Sequence, residues 1–171
     1  AARYDLSASP DTAALCRTLS QEGLPSERLW DEWKKLLLKG VRPSMGLRWL
    51  EQCGWLRFYP ELAALQGCPQ DPLWHPEGDV WVHTLHCLDA FAQEGTGQPD
   101  DDLTVGLGVL CHDFGKPATT EEAFGRITSR GHEPEGETPA RTFLSRLTNQ
   151  SGLADDVAAL VRCHLRPRQL Y

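Results

Sequence analysis

A chain of 171 residues is long enough to bury one full hydrophobic core, and its length argues against two independently folding domains. With 17 Lys and Arg against 24 Asp and Glu the formal charge is -7, so no global basic field exists to hold a polyanion and nucleic-acid contact would need a local patch. No apolar stretch approaches the roughly 20 residues of a membrane helix, there is no signal-peptide layout, and no Cys-x-x-Cys pair occurs, so a cytoplasmic location with reduced core thiols is expected.

The chain begins at Ala1-Ala2-Arg3-Tyr4 rather than at Met and stops at Leu170-Tyr171 just after a helix-like segment, so it reads as an excised or trimmed region. Ser9-Pro10-Asp11 is a helix start, and that helix is expected to run to about Gly23. Pro25-Ser26 starts a second, whose Leu29, Trp30, Trp33, Leu36 and Leu37 form one stripe before Gly40. Pro43-Ser44 opens a third, carrying Leu47 and Leu50 and ending near Gly54. Residues 1–66 thus form an amino-terminal helical lobe. From Gly67 to Gly78 the text is rich in breakers and reads as a loop. The second region, 67–171, packs against the lobe as one compact unit.

A helix from about Asp79 to Gln93 carries His83 and His86, and another runs from Asp102 to His112 or Asp113. The acidic triplet Asp100-Asp101-Asp102 lies where carboxylates cap free N–H groups, so a solvated cap outweighs a magnesium site. Gly115 to Pro134 is expected to be a long loop bearing Lys116, Arg126, Arg130 and His132. Helices over about Thr138 to Asn149 and Leu153 to His164 finish the chain, and no strand is expected, which makes the fold all-α.

The chemistry concentrates at His112-Asp113. An imidazole and a carboxylate close the apolar run Leu107-Gly108-Val109-Leu110-Cys111 and are followed by Phe114-Gly115-Lys116. A bare carboxylate in such surroundings is costly unless something positive meets it, and a divalent cation answers that need. His83, His112, His132 and His164 each come from a different segment, which is how helical folds assemble metal sites. Each histidine taken alone reads as an ordinary core or surface residue; the His-Asp adjacency lifts the set. His86 is three residues from His83 and suits a supporting or substrate contact. Cys111 beside His112 is a weak nucleophile candidate, because consecutive helical residues point about 100° apart and core thiols are inert. The Trp residues at 30, 33, 49 and 55 have helix-like spacings and read as core rather than as a base-stacking platform.

A helix His, then His-Asp-x-Gly-Lys, Gly-His and a further helix His resembles the HD superfamily of metal-dependent phosphohydrolases. Ala2-Arg3-Tyr4-Asp5, Arg42-Pro43-Ser44-x-Gly46-Leu47, Phe58-Tyr59-Pro60-Glu61-Leu62, Asp71-Pro72-x-x-His75-Pro76-Glu77-Gly78-Asp79-Val80-Trp81-x-His83-Thr84 and His164-Leu165-Arg166-Pro167 carry the likeness further. They resemble the carboxy-terminal, HD-bearing portion of bacterial tRNA nucleotidyltransferases, the CCA-adding enzymes. The resemblance implies an HD helical bundle behind a small neck-like or body-like lobe. It implies His83, His112 and Asp113 as metal ligands, with His132 and His164 holding a second metal or the substrate. Lys116 would face a phosphate.

Two departures from that pattern stand out. The family's closing aspartate lies on a helix beyond the segment matching His164, and within this chain only Asp156 is a substitute, two turns before His164. Nucleotide addition needs a head with a Gly-Ser motif and paired carboxylates, and no Gly-Ser step occurs here. The expected activity is therefore hydrolysis of a phosphomonoester or phosphodiester of a nucleotide, a cyclic nucleotide or an RNA 2',3'-end. One or two ions of nickel, manganese, cobalt, iron or magnesium would serve, with Asp113 and Lys116 catalytic and Arg126, Arg130 and His86 aiding phosphate binding. Transfer RNA is the expected macromolecular partner, with no DNA and no membrane. The competing reading is a non-catalytic RNA-holding body.

Overall fold

The structure, a computed structural model, describes residues 2–7 and 9–166. The expected chain end at Tyr171 and the last residue of the His164 motif, Pro167, lie outside the described residues. The lobe contains α1 (Pro10–Arg17), α2 (Ser26–Lys39), α3 (Pro43–Gln52), a 3-10 turn (Trp55–Phe58) and α4 (Pro60–Ala63). Helices α5 (Val80–Glu94), α6 (Pro99–Cys111), α7 (Lys116–Thr119), α8 (His132–Glu135), α9 (Glu137–Ser145) and α10 (Ser151–Cys163) follow. The fold is helical, as expected, with one exception.

That exception is an antiparallel hairpin of β1 (Glu121–Ala123) and β2 (Arg126–Thr128), which pairs Glu121 with Thr128 and Ala123 with Arg126. Its two-residue turn places Phe124 at φ 54° and Gly125 at φ 71°, the paired positive values that match the strand twist. Three-residue strands are too short to show an alternation, so the sequence reads as loop. Helices α7 and α8 also punctuate that expected loop. Two boundaries shift as well. Helix α1 stops at Arg17 with Thr18 as its cap, well before Gly23. Helix α6 begins at Pro99, because proline is suited to a first helical turn, so the acidic triplet lies inside that turn rather than ahead of it. Asp102 then reaches back to accept from the Thr96 amide and hydroxyl.

One core runs through both regions. Trp33 of α2 packs edge-on against Tyr59 and against Phe143 of α9, at ring separations of 5.2 Å in each case. Phe143 meets Phe114 at 5.7 Å, so aromatic contact continues from the lobe to the residue following Asp113. Ser44 at the start of α3 donates its amide and hydroxyl to the Asp89 carboxylate of α5, at 2.9 and 2.6 Å. Arg146 pairs with Glu61 across the same seam. None of the six cysteines forms a disulfide. Among the described residues no helix is long and apolar enough to cross a membrane.

Candidate metal centre

Helices α5, α6 and α10 and the α8 turn converge on Asp113, which is 1% exposed. Its Oδ2 lies 3.1 Å from His112 Nε2 and 3.9 Å from His83 Nε2. Its Oδ1 lies 3.4 Å from His132 Nε2 and 3.9 Å from His164 Nε2. The carboxylate therefore faces one imidazole pair on each oxygen.

Local backbone chemistry aims these rings. His112 and His164 occupy the C-caps of α6 and α10, where carbonyls lack helical partners, and His132 opens α8. Each donates its Nδ1–H to the carbonyl three residues earlier: His112 to Val109 at 2.7 Å, His132 to Ser129 at 2.6 Å and His164 to Val161 at 2.6 Å. A carbonyl only accepts, so the proton of each neutral ring sits on Nδ1 and Nε2 presents a lone pair. On α5, His83 Nδ1 donates to Glu77 Oε1 at 2.7 Å, with the same consequence. Four lone pairs thus converge on a carboxylate whose oxygens accept no hydrogen bond of ordinary geometry.

Such a set repels itself unless a cation joins it. Part of the answer is Lys116, whose Nζ lies 2.8 Å from Asp113 Oδ2 and donates to Gln70 Oε1 at 2.7 Å. Burial pushes the Asp113 carboxyl up, but His112 and Lys116 outweigh it and hold it well below the usual carboxylate range. Burial lowers His83 and His164, against the opposing pull of Glu77 on the first and of the Val161 carbonyl on the second. For His83, His164 and Asp113 these directions favour the neutral imidazole and the charged carboxylate, the states that metal ligation requires. The unaccepted carboxylate and the directed Nε2 atoms fit a divalent cation.

A cavity of about 650 Å³ opens over the cluster, lined by His83, His112, Asp113, Lys116, His132 and His164 together with residues of the 67–78 loop. Other sequence candidates fall elsewhere. Arg126 and Arg130 are exposed and do not line it; in β2 it is Ile127 that turns inward, as strand alternation requires. His86 is exposed on α5, where the residue beside His83 is Cys87, one full turn on, with Sγ 3.4 Å from His83 Nε2. Asp156 is exposed on α10 and takes no part. Lys116 is buried and engaged by Asp113 and Gln70 rather than presented to solvent. Cys111 is fully buried, which pushes its thiol far up and leaves it inert.

The structure also adds residues to the cluster that sequence reasoning left unused. Glu77 accepts from both His83 and His75, the latter at 3.0 Å, and its carboxyl is held down at about 2 although burial opposes this. Gln70 secures Lys116. The run His75-Pro76-Glu77-Gly78 was visible as a motif, but only the folded loop shows that Glu77 lies beneath His83. A larger cleft of about 840 Å³ lies in the amino-terminal lobe between α2, α3 and the 21–24 segment, and no such cluster lines it among the described residues.

A helical bundle that closes four histidines around a His-Asp step is the arrangement of the HD domain family. Residues 80–171 match that family, and the chain belongs to it. Residues 5–66 match a family described as the probable RNA and SrmB-binding site of polymerase A. Among curated relatives, a multifunctional CCA protein of Laribacter hongkongensis is 40% identical over 152 residues, covering 86% of this chain and 36% of its own length. The multifunctional CCA protein of Halorhodospira halophila is 38% identical over 160 residues, with 91% and 37% covered. That of Alkalilimnicola ehrlichii is 34% identical over 168 residues, with 95% and 39% covered. The chain thus spans little more than a third of the length of these relatives. No solved structure matches it.

Proposed function

We propose that the chain is the RNA-facing, HD-bearing part of a protein of the multifunctional CCA type, and that its His-Asp cluster hydrolyses a phosphate ester at a nucleotide or RNA end. The observation that carries the hydrolase reading is the set of four Nε2 lone pairs directed at the buried Asp113 carboxylate. His83, His112, Asp113, His132 and His164 would hold one or two divalent ions. Such an ion supplies Lewis acidity toward a phosphoryl oxygen and acidifies water. Asp113 keeps its negative charge because Lys116 lies against it, and Gln70 keeps Lys116 there. Glu77 fixes His83 in the tautomer that presents Nε2. Leu110 and Cys111, which precede His112 on α6, are fully buried and hold that end of the helix in the core.

A second reading has its own observation. The match of residues 5–66 to an RNA-binding family, and relatives named for CCA proteins, favour a non-catalytic body that holds tRNA. Metal content of the purified protein and hydrolysis of a 2',3'-cyclic nucleotide, each measured for wild type, His112→Gln and Asp113→Asn, separate the two. The hydrolase reading expects bound nickel, manganese, cobalt, iron or magnesium and turnover in wild type, with both lost in the folded variants. A metal-free, inactive wild type that binds tRNA as well as both variants do establishes the body alone.

A further inference from the structure

We propose that Cys87 is a sulfur ligand of the ion held by His83, His112 and Asp113, so that this half of the cluster selects a thiophilic divalent ion, zinc, cobalt or nickel, over manganese and magnesium. The inference rests on the reading of the cluster as a metal centre and is independent of hydrolysis. Residues four apart on a helix lie one above the other on the same face, so α5 sets Cys87 beside His83 while His86 is exposed. The Cys87 Sγ, a ring nitrogen of His83 and a ring nitrogen of His112 all lie within 4.8 Å of one another. The individual separations suit ligands around one small ion. His83 Nε2 is 3.4 Å from Cys87 Sγ and 3.9 Å from Asp113 Oδ2, and His112 Nε2 is 3.1 Å from the same oxygen. Bonds of about 2.0 to 2.3 Å in a tetrahedron place neighbouring ligand atoms roughly 3.3 to 3.8 Å apart.

Two further observations point to an ion rather than to a bare contact between thiol and imidazole. Asp113, 1% exposed, aims into this set a carboxylate whose oxygens accept no hydrogen bond of ordinary geometry. Among the described residues the hydrogen-bond partner of Cys87 Sγ is His83 Nε2, whose lone pair an ion would take. The sulfur then needs a new partner, and the ion beside it is one. Ligation forms a metal–sulfur bond and sends the thiol proton to water. The two halves of the cluster thereby differ in chemistry. Asp113 Oδ1, His132 and His164 offer oxygen and nitrogen, whereas the half with His83 and His112 adds sulfur. A thiolate beside imidazoles favours zinc, cobalt and nickel, while magnesium and manganese suit oxygen donors.

The test loads the EDTA-treated, dialysed protein with cobalt(II) and records its absorption spectrum. Wild type is expected to show the visible bands of ligated cobalt together with a near-ultraviolet sulfur-to-cobalt charge-transfer band. Cys87→Ser and Cys87→Ala are expected to keep the visible bands and lose the charge-transfer band. In competition titrations the preference for zinc over manganese should fall by about 100-fold or more in both variants, past the range that losing a supporting hydrogen bond to a ligand covers. A thiol that only supports His83 gives a different pattern: no charge-transfer band in wild type, and in the variants a loss of affinity shared alike by zinc and manganese. Either of those results, or a charge-transfer band that survives Cys87→Ser, overturns the inference and leaves the metal reading of the cluster standing. Failure of wild type to bind cobalt or zinc at all overturns both. A charge-transfer band that is lost in Cys87→Ser, from a protein that hydrolyses no phosphate ester, upholds sulfur ligation and removes the hydrolase reading.

Discussion

His132 and His164 hold their Nε2 atoms 3.1 Å apart while each ring's Nδ1–H is committed to a backbone carbonyl. Two imidazole lone pairs at that distance repel unless a cation lies between them, and Asp113 Oδ1 beside them adds a negative charge to the same point. The metal-free protein therefore carries a local repulsion that ligation relieves. Manganese or nickel at a hundredfold excess over Kd should raise Tm by about 5 to 10 °C. His164→Ala is expected to leave Tm in EDTA unchanged or raised and to shrink the metal-induced rise. Thermal scans with and without metal check both signs; an equal rise in the variant would contradict the assignment.

Glu77 supports His83 from behind, so Glu77→Gln should weaken metal binding about 10- to 100-fold without unfolding the protein, as read by calorimetric titration. A pH dependence follows. The folded-state carboxyl is held at about 2, below its ordinary 4.5, so its contribution is full above pH 4.5 and fades as pH falls toward about 2. The stability gap between wild type and Glu77→Gln, from denaturant midpoints, should be widest above pH 4.5 and close on acidification.

Gly115 seats the α7 and α8 turns against each other. A Cβ there would lie 2.1 Å from the His132 carbonyl oxygen and 2.7 Å from the Gly136 amide nitrogen, both rigid backbone atoms. Gly115→Ala must push α8 away, carrying His132 off Asp113. A loss of about 1 to 3 kcal/mol is expected, together with reduced metal content. Gly152 in α10 meets no atom within 4 Å, so Gly152→Ala is the neutral or mildly stabilising control. Equal midpoints for the two variants would refute the close approach.

The contrast between these residues shows what the sequence could disclose. Long amphipathic helices were legible because Trp30, Trp33 and Leu37, or Pro43 and Leu47, repeat at helical spacing and fall on the buried face. His83, His112, His132 and His164 were legible as a set, because a His-Asp step in apolar text is electrically costly and its partners had to come from other segments. Glu77, Gln70 and His75 were not. Their roles depend on a loop that folds back beneath α5 through the Asp79 carboxylate, a tertiary contact with no period in the chain. The phosphate roles given to Arg126 and Arg130 met the opposite difficulty. Charge and nearness in sequence suggested them, while the alternation of β2 turns Ile127 inward in place of Arg126, and Arg130 lies beyond the strand, exposed.

Phe143 tests whether the lobe and the HD bundle unfold together. Its ring is fully buried and touches Trp33 and Tyr59 of the lobe at 5.2 and 6.0 Å and Phe114 of the bundle at 5.7 Å. Removing it leaves a cavity shared by both regions. Phe143→Ala should cost about 3 to 5 kcal/mol. Two separate domains would give two transitions, of which only one moves. A shared core requires the far-ultraviolet signal and tryptophan fluorescence, which reports Trp33 in the lobe and Trp81 at the start of α5, to shift together to one lower midpoint. The milder Phe143→Leu should shift both by less, in the same direction. A fluorescence midpoint that moves while the helical signal holds would divide the chain near residue 67, and the seam of Ser44 with Asp89 would then be only a surface contact between two bodies.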